Sequence, residues 1–212
     1  LLKNLQKGTV SEERALLCEG AALMGILLTE DQTQQLLDYC ALIQKWNKTY
    51  NLSAIRDPLE SVKKHLVDSL SILPFIRKGQ LLDVGAGAGL PGIVIAIMRS
   101  DVSVTVLDSV GKKCRFMQVV KTELGLSNLT VVNARVESFS PGLLFSQITS
   151  RAFAEVDKTL SLTKHLLAHD GSYLLMKGDH ADEERAVDAK ITSHSLNVPF
   201  VSDRRSLLEI QL

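Results

Sequence analysis

The run Asp83-Val84-Gly85-Ala86-Gly87-Ala88-Gly89 sets an acid at the end of an apolar strand and then a glycine at every second position. Positions without side chains let a backbone pass close beneath a nucleotide-like molecule, because a Cβ there would take the ligand's space. Pro91 has no N–H and suits the first turn of a following helix. About 19 residues beyond Gly89, the apolar segment that starts at Val102 closes on Asp108. A carboxylate at that place can accept both hydroxyls of a ribose. This spacing implies binding of an adenosine-type cofactor.

The dinucleotide fingerprint is G-x-G-x-x-G, and its third glycine would fall on Leu90. The order present is D-x-G-x-G-x-G. It resembles the first motif of the class I S-adenosylmethionine (SAM) methyltransferases, whose cofactor has no pyrophosphate to seat on a helix N-terminus. A nicotinamide dehydrogenase, a small-molecule methyltransferase and a non-catalytic RNA-binding module stand as alternatives on the motif alone. A turn that merely needs glycines would not require acids at Asp83 and Asp108.

The 212 residues suffice for one α/β domain with an appendage. Lys and Arg number 24 and so do Asp and Glu, so any nucleic-acid site must be a local patch. Cys18, Cys40 and Cys114 have neither metal nor disulfide spacing, so no metal is expected and a reducing cytoplasm suits the chain. No signal peptide and no apolar run of membrane-spanning length is visible, so no membrane partner is expected. The chain opens on Leu1 rather than Met, from which we expect an N-terminal piece to be missing.

Residues 11–76 read as helices. Leu36, Leu37, Cys40, Ile43 and Trp46 make one apolar stripe, with Asp31 as its cap, and Val62, Leu66, Leu70 and Leu73 make a second. The Asn-rich stretch from Lys45 to Pro58 breaks the period and reads as a loop. From Gln80 the pattern alternates. Strands are predicted at 80–84, 103–107, 129–133, 146–150 and 172–177, and helices at 91–99, 111–124, 155–168 and 181–190. The tail from Ile191 has room for two more strands. Alternation of this kind implies a mostly parallel sheet covered on both faces, with its ligand at the carboxyl ends of the strands. Asp83, Asp108, Arg135, Arg151 and Lys177 all fall at or just past those ends.

Other candidates carry plainer alternatives. Arg151 could grip a carboxylate or phosphate, or form a structural ion pair. Lys177 could be a solvated strand end, Arg135 a partner of Glu137, and Asn51 a loop cap. Trp46 suits the core better than base stacking, and a packed helix histidine is the better reading of His65. Lys45, Lys48, Arg56, Lys63, Lys64, Arg77 and Lys78 outnumber the acids of residues 41–80 and mark an expected RNA face. Lys112, Lys113, Arg115 and Lys121 form a second basic cluster. The acidic run from Asp179 to Asp188 is expected to face solvent.

The segments Lys45 to Asp57, His65 to Ser69, Asp83 to Gly92, Leu107 to Ser109, Asn133 to Glu137, Ser150 to Ala154 and Lys177-Gly178 together resemble the glucose-inhibited division protein B family, the bacterial RsmG enzymes. The likeness covers about residue 30 to 178, and its Trp-Asn and Ser-Arg-Ala-Phe segments are more specific than the glycine loop. Ala88 is a departure, since many relatives carry Pro there. The resemblance implies a class I SAM-dependent, Rossmann-like α/β fold with a seven-stranded, mostly parallel sheet. Residues 1–78 would be an N-terminal helical extension facing RNA and residues 79–212 the SAM-binding domain, in one compact unit.

It further implies transfer of a methyl group from SAM to N-7 of a guanine in 16S ribosomal RNA, free or in the small subunit, by a cytoplasmic monomer. Asp83, Gly85, Gly87, Gly89, Leu90, Asp108, Val136, Glu137 and Arg151 are then the cofactor residues. Arg151, Lys177, Arg135 and Asn51 are the catalytic candidates. Lys48, Arg56, Lys63, Lys64 and His65 are the RNA-binding ones. Guanine N-7 is itself the nucleophile and loses no proton before attack, so proximity and alignment suffice. The chain lacks the Pro-Cys pair of cytosine C-5 methylation and the Asn/Asp-Pro-Pro-aromatic run of adenine amino methylation, as an N-7 enzyme would.

Overall fold

A computed structural model describes residues 2–178 and 189–212, with side chains from residue 12 onward. Its sheet has seven strands: β1 Gly79–Val84, β2 Val102–Asp108, β3 Leu129–Asn133, β4 Phe145–Arg151, β5 Leu167–Lys177, β6 Lys190–Leu196 and β7 Arg205–Gln211. Their order is β3-β2-β1-β4-β5-β7-β6. Strands β1 to β5 run parallel, while β7 is antiparallel to both β5 and β6. The order reverses between β1 and β4, which opens a crevice at their carboxyl ends.

The two-residue period of each strand sorts its side chains between two cores. Leu81, Val104, Val106 and Leu174 face one; Leu82, Val84, Leu107 and Leu175 face the other. Helices α1 (Leu2–Leu23), α2 (Glu30–Tyr50), α5 (Gly92–Met98) and α6 (Gly111–Glu123) cover the first face, and α7 (Val156–Thr163) covers the second. On α2, Leu36, Tyr39 and Ile43 are buried in the same core as Ile93 of α5 and Phe116 of α6. Trp46 packs against Phe116 and Tyr50, as a core residue does.

Several boundaries differ from the sequence reading. The cap of α2 is Thr29, not Asp31; Thr29 and Gln32 form a reciprocal capping box, and Asp31 lies in the first turn. The stretch predicted as one helix to Ile76 is α3 (Pro58–Ser61), a π-helical segment Val62–Val67 and α4 (Asp68–Leu70), followed by a 3₁₀ turn at Leu73–Phe75. Pro74 supplies no N–H to continue it. The predicted helix 155–168 gives way to a 3₁₀ turn at Lys164–Leu166, and β5 starts at Leu167 with an irregular register before Ser172. Residues 181–188 of the predicted helix 181–190 and the whole acidic run lie outside the described residues, and Lys190, at the predicted helix's end, opens β6 instead. No helix among the described residues is long and apolar enough to cross a membrane.

Candidate active site

Beyond β1 the chain folds back over the end of β2. The amides of Gly85 and Ala86 both donate to Leu107 O, at 2.9 and 3.1 Å. Gly85 has φ +66°, and a Cβ there would stand 2.5 Å from Phe153 Cδ2. The amide of Gly87 donates to Asp108 Oδ2 at 2.9 Å, and that of Val110 to Asp108 Oδ1 at 2.8 Å. Both carboxylate oxygens therefore brace the turn and the entry to α6. Each oxygen has a second lone pair for a ribose hydroxyl.

A cavity of about 390 Å³ opens beside this loop, lined among others by Gly85, Asp108, Arg135, Val136, Glu137 and Phe153. Small-molecule sites span roughly 300–1,000 Å³. Apolar walls at Val84, Leu107 and Val136, with an acid at Asp108, fit an adenosine with its base among carbons and its ribose at the carboxylate. The bare α-carbon of Gly85 leaves room for the ring of Phe153, another residue of the cavity wall.

A second cavity, of about 350 Å³, shares Ala152 with the first as a lining residue. Its polar lining includes Lys64, His65, Asp68, Arg151, Lys177 and Arg205. Asp68, buried at the end of the π-helical segment, accepts from Arg151 Nη1 at 3.1 Å and from Arg205 Nε at 3.0 Å. Arg151 Nη1 also donates to Lys64 O at 2.9 Å. Lys177 Nζ donates to Ala154 O at 3.0 Å. His65 lies 2.9 Å from Ser53 Oγ through Nε2, and burial, with Arg151 adding to it, lowers its pKa to about 4. Four cations and one carboxylate give this cavity a net positive lining.

The family model for GidB, rRNA small subunit methyltransferase G, matches residues 32–208. The chain belongs to the GidB family. A ribosomal RNA small subunit methyltransferase G from Ruthia magnifica subsp. Calyptogena magnifica is 54% identical over 193 residues, 91% of this chain and 95% of that protein. One from Pseudomonas fluorescens is 48% identical over 202 residues, 93% and 94% of the two chains. Among solved structures, coclaurine N-methyltransferase bound to N-methylheliamine and SAH superposes with TM-score 0.55 at 14% identity, over 90% of this chain and 73% of that one. A SAM-dependent methyltransferase from Aquifex aeolicus gives 0.54 at 15% identity, over 69% and 91%. These structures carry the class I, Rossmann-like fold.

In this GidB-family chain the sequence-predicted residues separate into three groups. Gly85, Asp108, Arg135, Val136 and Glu137 line the first cavity, and Lys64, His65, Arg151 and Lys177 the second. Asp83, Gly89 and Leu90 line neither. Asp83 shares the sheet face of Leu81, so it points at α5 and accepts from the Gly92 amide at 2.8 Å, with no exposed surface. Gly89 backs onto Ile93, and Leu90 is buried in the first core. Gly87 is half-buried beside the first cavity rather than in its lining.

Asn51 ends α2 in a left-handed conformation and accepts from Arg56 Nη2 at 3.1 Å, a capping role. His65 is 4% exposed and tied to Ser53, so it is not a surface contact for phosphate. Lys48 and Arg56 are exposed, while Lys63 and Lys64 both pair with Glu60. Arg77 and Lys78 precede β1, at the opposite end of the sheet from the cavities, so they leave the expected RNA face. Sequence reasoning passed over Asp68, Arg205 and Phe153 as site residues. It passed over buried Asn47 too, whose side chain binds Ser53 and Ile55 and shapes the loop before α3.

Proposed function

We propose that this chain transfers a methyl group from SAM to N-7 of a guanine in 16S ribosomal RNA, with the cofactor in the first cavity and the target base in the second. The observation that carries the reading is that the two cavities share Ala152 in their walls, at the carboxyl end of β4. When bound, SAM supplies an electrophilic methyl group on a sulfonium.

The residues then act by holding. Asp108 accepts ribose hydroxyls, and Val136 and Glu137 flank the adenine. Arg151 and Lys177 stand where the base and its phosphate enter, each fixed by partners of its own. Ile55, Met176 and Leu196 give the second cavity apolar walls for a purine face. N-7 presents a lone pair, so no group must take a proton. His65, with a pKa of about 4, would be a weak base at neutral pH in any case. Lys48, Arg56, Lys63 and Lys64 supply the phosphate contacts around the mouth.

Residues 1–78 are the RNA-facing part and 79–212 the cofactor part of one unit; that they make one unit is supported by the core that α2 shares with α5 and α6. The protein works in the cytoplasm as a monomer. The test is mass mapping of 16S RNA after small subunits are incubated with protein and SAM. One methyl on a single guanine, at a position that becomes cleavable by borohydride and aniline, is expected. A methylated cytosine or adenine, or no product, overturns the reading.

A further inference from the structure

The glycine loop is held from two sides. On the sheet side, Asp108 Oδ2 accepts the Gly87 amide at 2.9 Å. On the opposite side, the Tyr39 hydroxyl, carried by α2, donates to the carbonyl of Ala88 at 2.8 Å. Tyr39 has no exposed surface, so water cannot replace that bond. The residues between the glycines, Ala86 and Ala88, are buried in the core that contains Tyr39 and Ile43. A Cβ on Gly89 would stand 3.2 Å from the same hydroxyl, which shows how closely α2 approaches the turn. The helix that ends at the RNA-facing loop therefore also touches the cofactor loop.

We infer that Tyr39 is a positioning residue for the cofactor: its hydroxyl fixes the Ala88 peptide, so the helical extension is a working part of the SAM site. The inference rests on the functional reading above. Tyr39→Phe keeps the ring and removes the bond. The expected result is a SAM dissociation constant raised about fivefold, the effect of losing one net hydrogen bond. The KM for SAM follows, while kcat at saturating SAM and the KM for RNA change less than about twofold. A general loss of structure would move all of these together, and that result overturns the inference.

A second measurement leaves the sequence intact. The chain has 3 tyrosines. Fluorine NMR of full-length protein labelled with 3-fluorotyrosine, assigned with Tyr50→Phe and Tyr173→Phe, should show the Tyr39 signal moving on addition of SAM. Unchanged SAM affinity in Tyr39→Phe, or a static Tyr39 signal in protein that binds SAM, refutes the role. Failure of the unaltered protein to bind SAM at all would refute the functional reading instead.

Discussion

Two buried groups set opposed pH dependences of stability, and removing either one should expose the other. His65 goes from an ordinary pKa of 6.5 to about 4, chiefly through burial. The unfolded chain then binds its proton more readily between those values, so this contribution to stability is present above pH 6.5 and lost as the pH falls toward 4. At 1.36 kcal/mol per unit that is about 3 kcal/mol. Asp83 goes the other way, from 3.8 to about 7, again chiefly through burial. Its contribution is present below 3.8 and lost as the pH rises through 7, by about 4 kcal/mol. Over the shared range the two nearly cancel. The assay is urea unfolding at steps from about pH 4 to 7.5, with His65→Gln and Asp83→Asn beside the unaltered protein. Relative to the latter, His65→Gln should lose about 3 kcal/mol as the pH rises from 4 to 6.5, and Asp83→Asn should gain over the wider range. A stability difference for His65→Gln that does not vary with pH would refute the reasoning, because a neutral buried imidazole must show this slope.

Asp68→Ala leaves Arg151 and Arg205 facing each other without their shared carboxylate, and should destabilise the fold by about 3 kcal/mol in urea unfolding. Arg205→Met in the same chain should recover part of that loss; strict additivity would mean the pairing is not coupled. Gly85→Val drives a Cβ into Phe153 at a positive φ, so calorimetry should show SAM binding lost, whereas undiminished affinity would remove Gly85 from the site. Charge reversal of Lys63 and Lys64 should weaken RNA binding and lower its salt slope by about one per lost phosphate contact, with SAM affinity unchanged.

The sheet was legible because its strands are apolar runs bounded by turns and acids; five predicted strands and two more in the tail all formed. The glycine loop was legible for the same reason, that a backbone requirement leaves a residue-level mark. Which way Asp83 points was not read correctly, although the alternation of Leu81, Leu82, Asp83 and Val84 contains the answer: Asp83 shares a face with Leu81. The pairing of Asp68 with Arg205 joins residues 137 apart, and no local pattern announces it. The π-helical turn left no mark either, since Val62, Leu66 and Leu70 satisfy an ordinary helical stripe while the turn offers the Lys64 carbonyl to Arg151. For Arg151 the sequence left a ligand contact and an ion pair as rivals. The geometry has both the ion pair and a place in the cavity wall.

That combination is what a reaction without proton transfer asks of its site. Alignment alone can supply about 7–11 kcal/mol, provided the reacting groups are held in place before they meet. A long cationic side chain free to sample its rotamers would give up part of that gain to ordering. Here Arg151 is tied to Asp68 and Lys64, Lys177 to Ala154, and Asp108 to two backbone amides, so each stands in position through bonds the protein makes itself. The single carboxylate among four cations orders the arginines without neutralising the cavity. A chain that had to abstract a proton would instead be expected to bring a carboxylate or imidazole of pKa near 7 to the cavity surface. Asp83, pushed up to about 7 by burial, is no such base: it lies sealed behind the loop and holds Gly92.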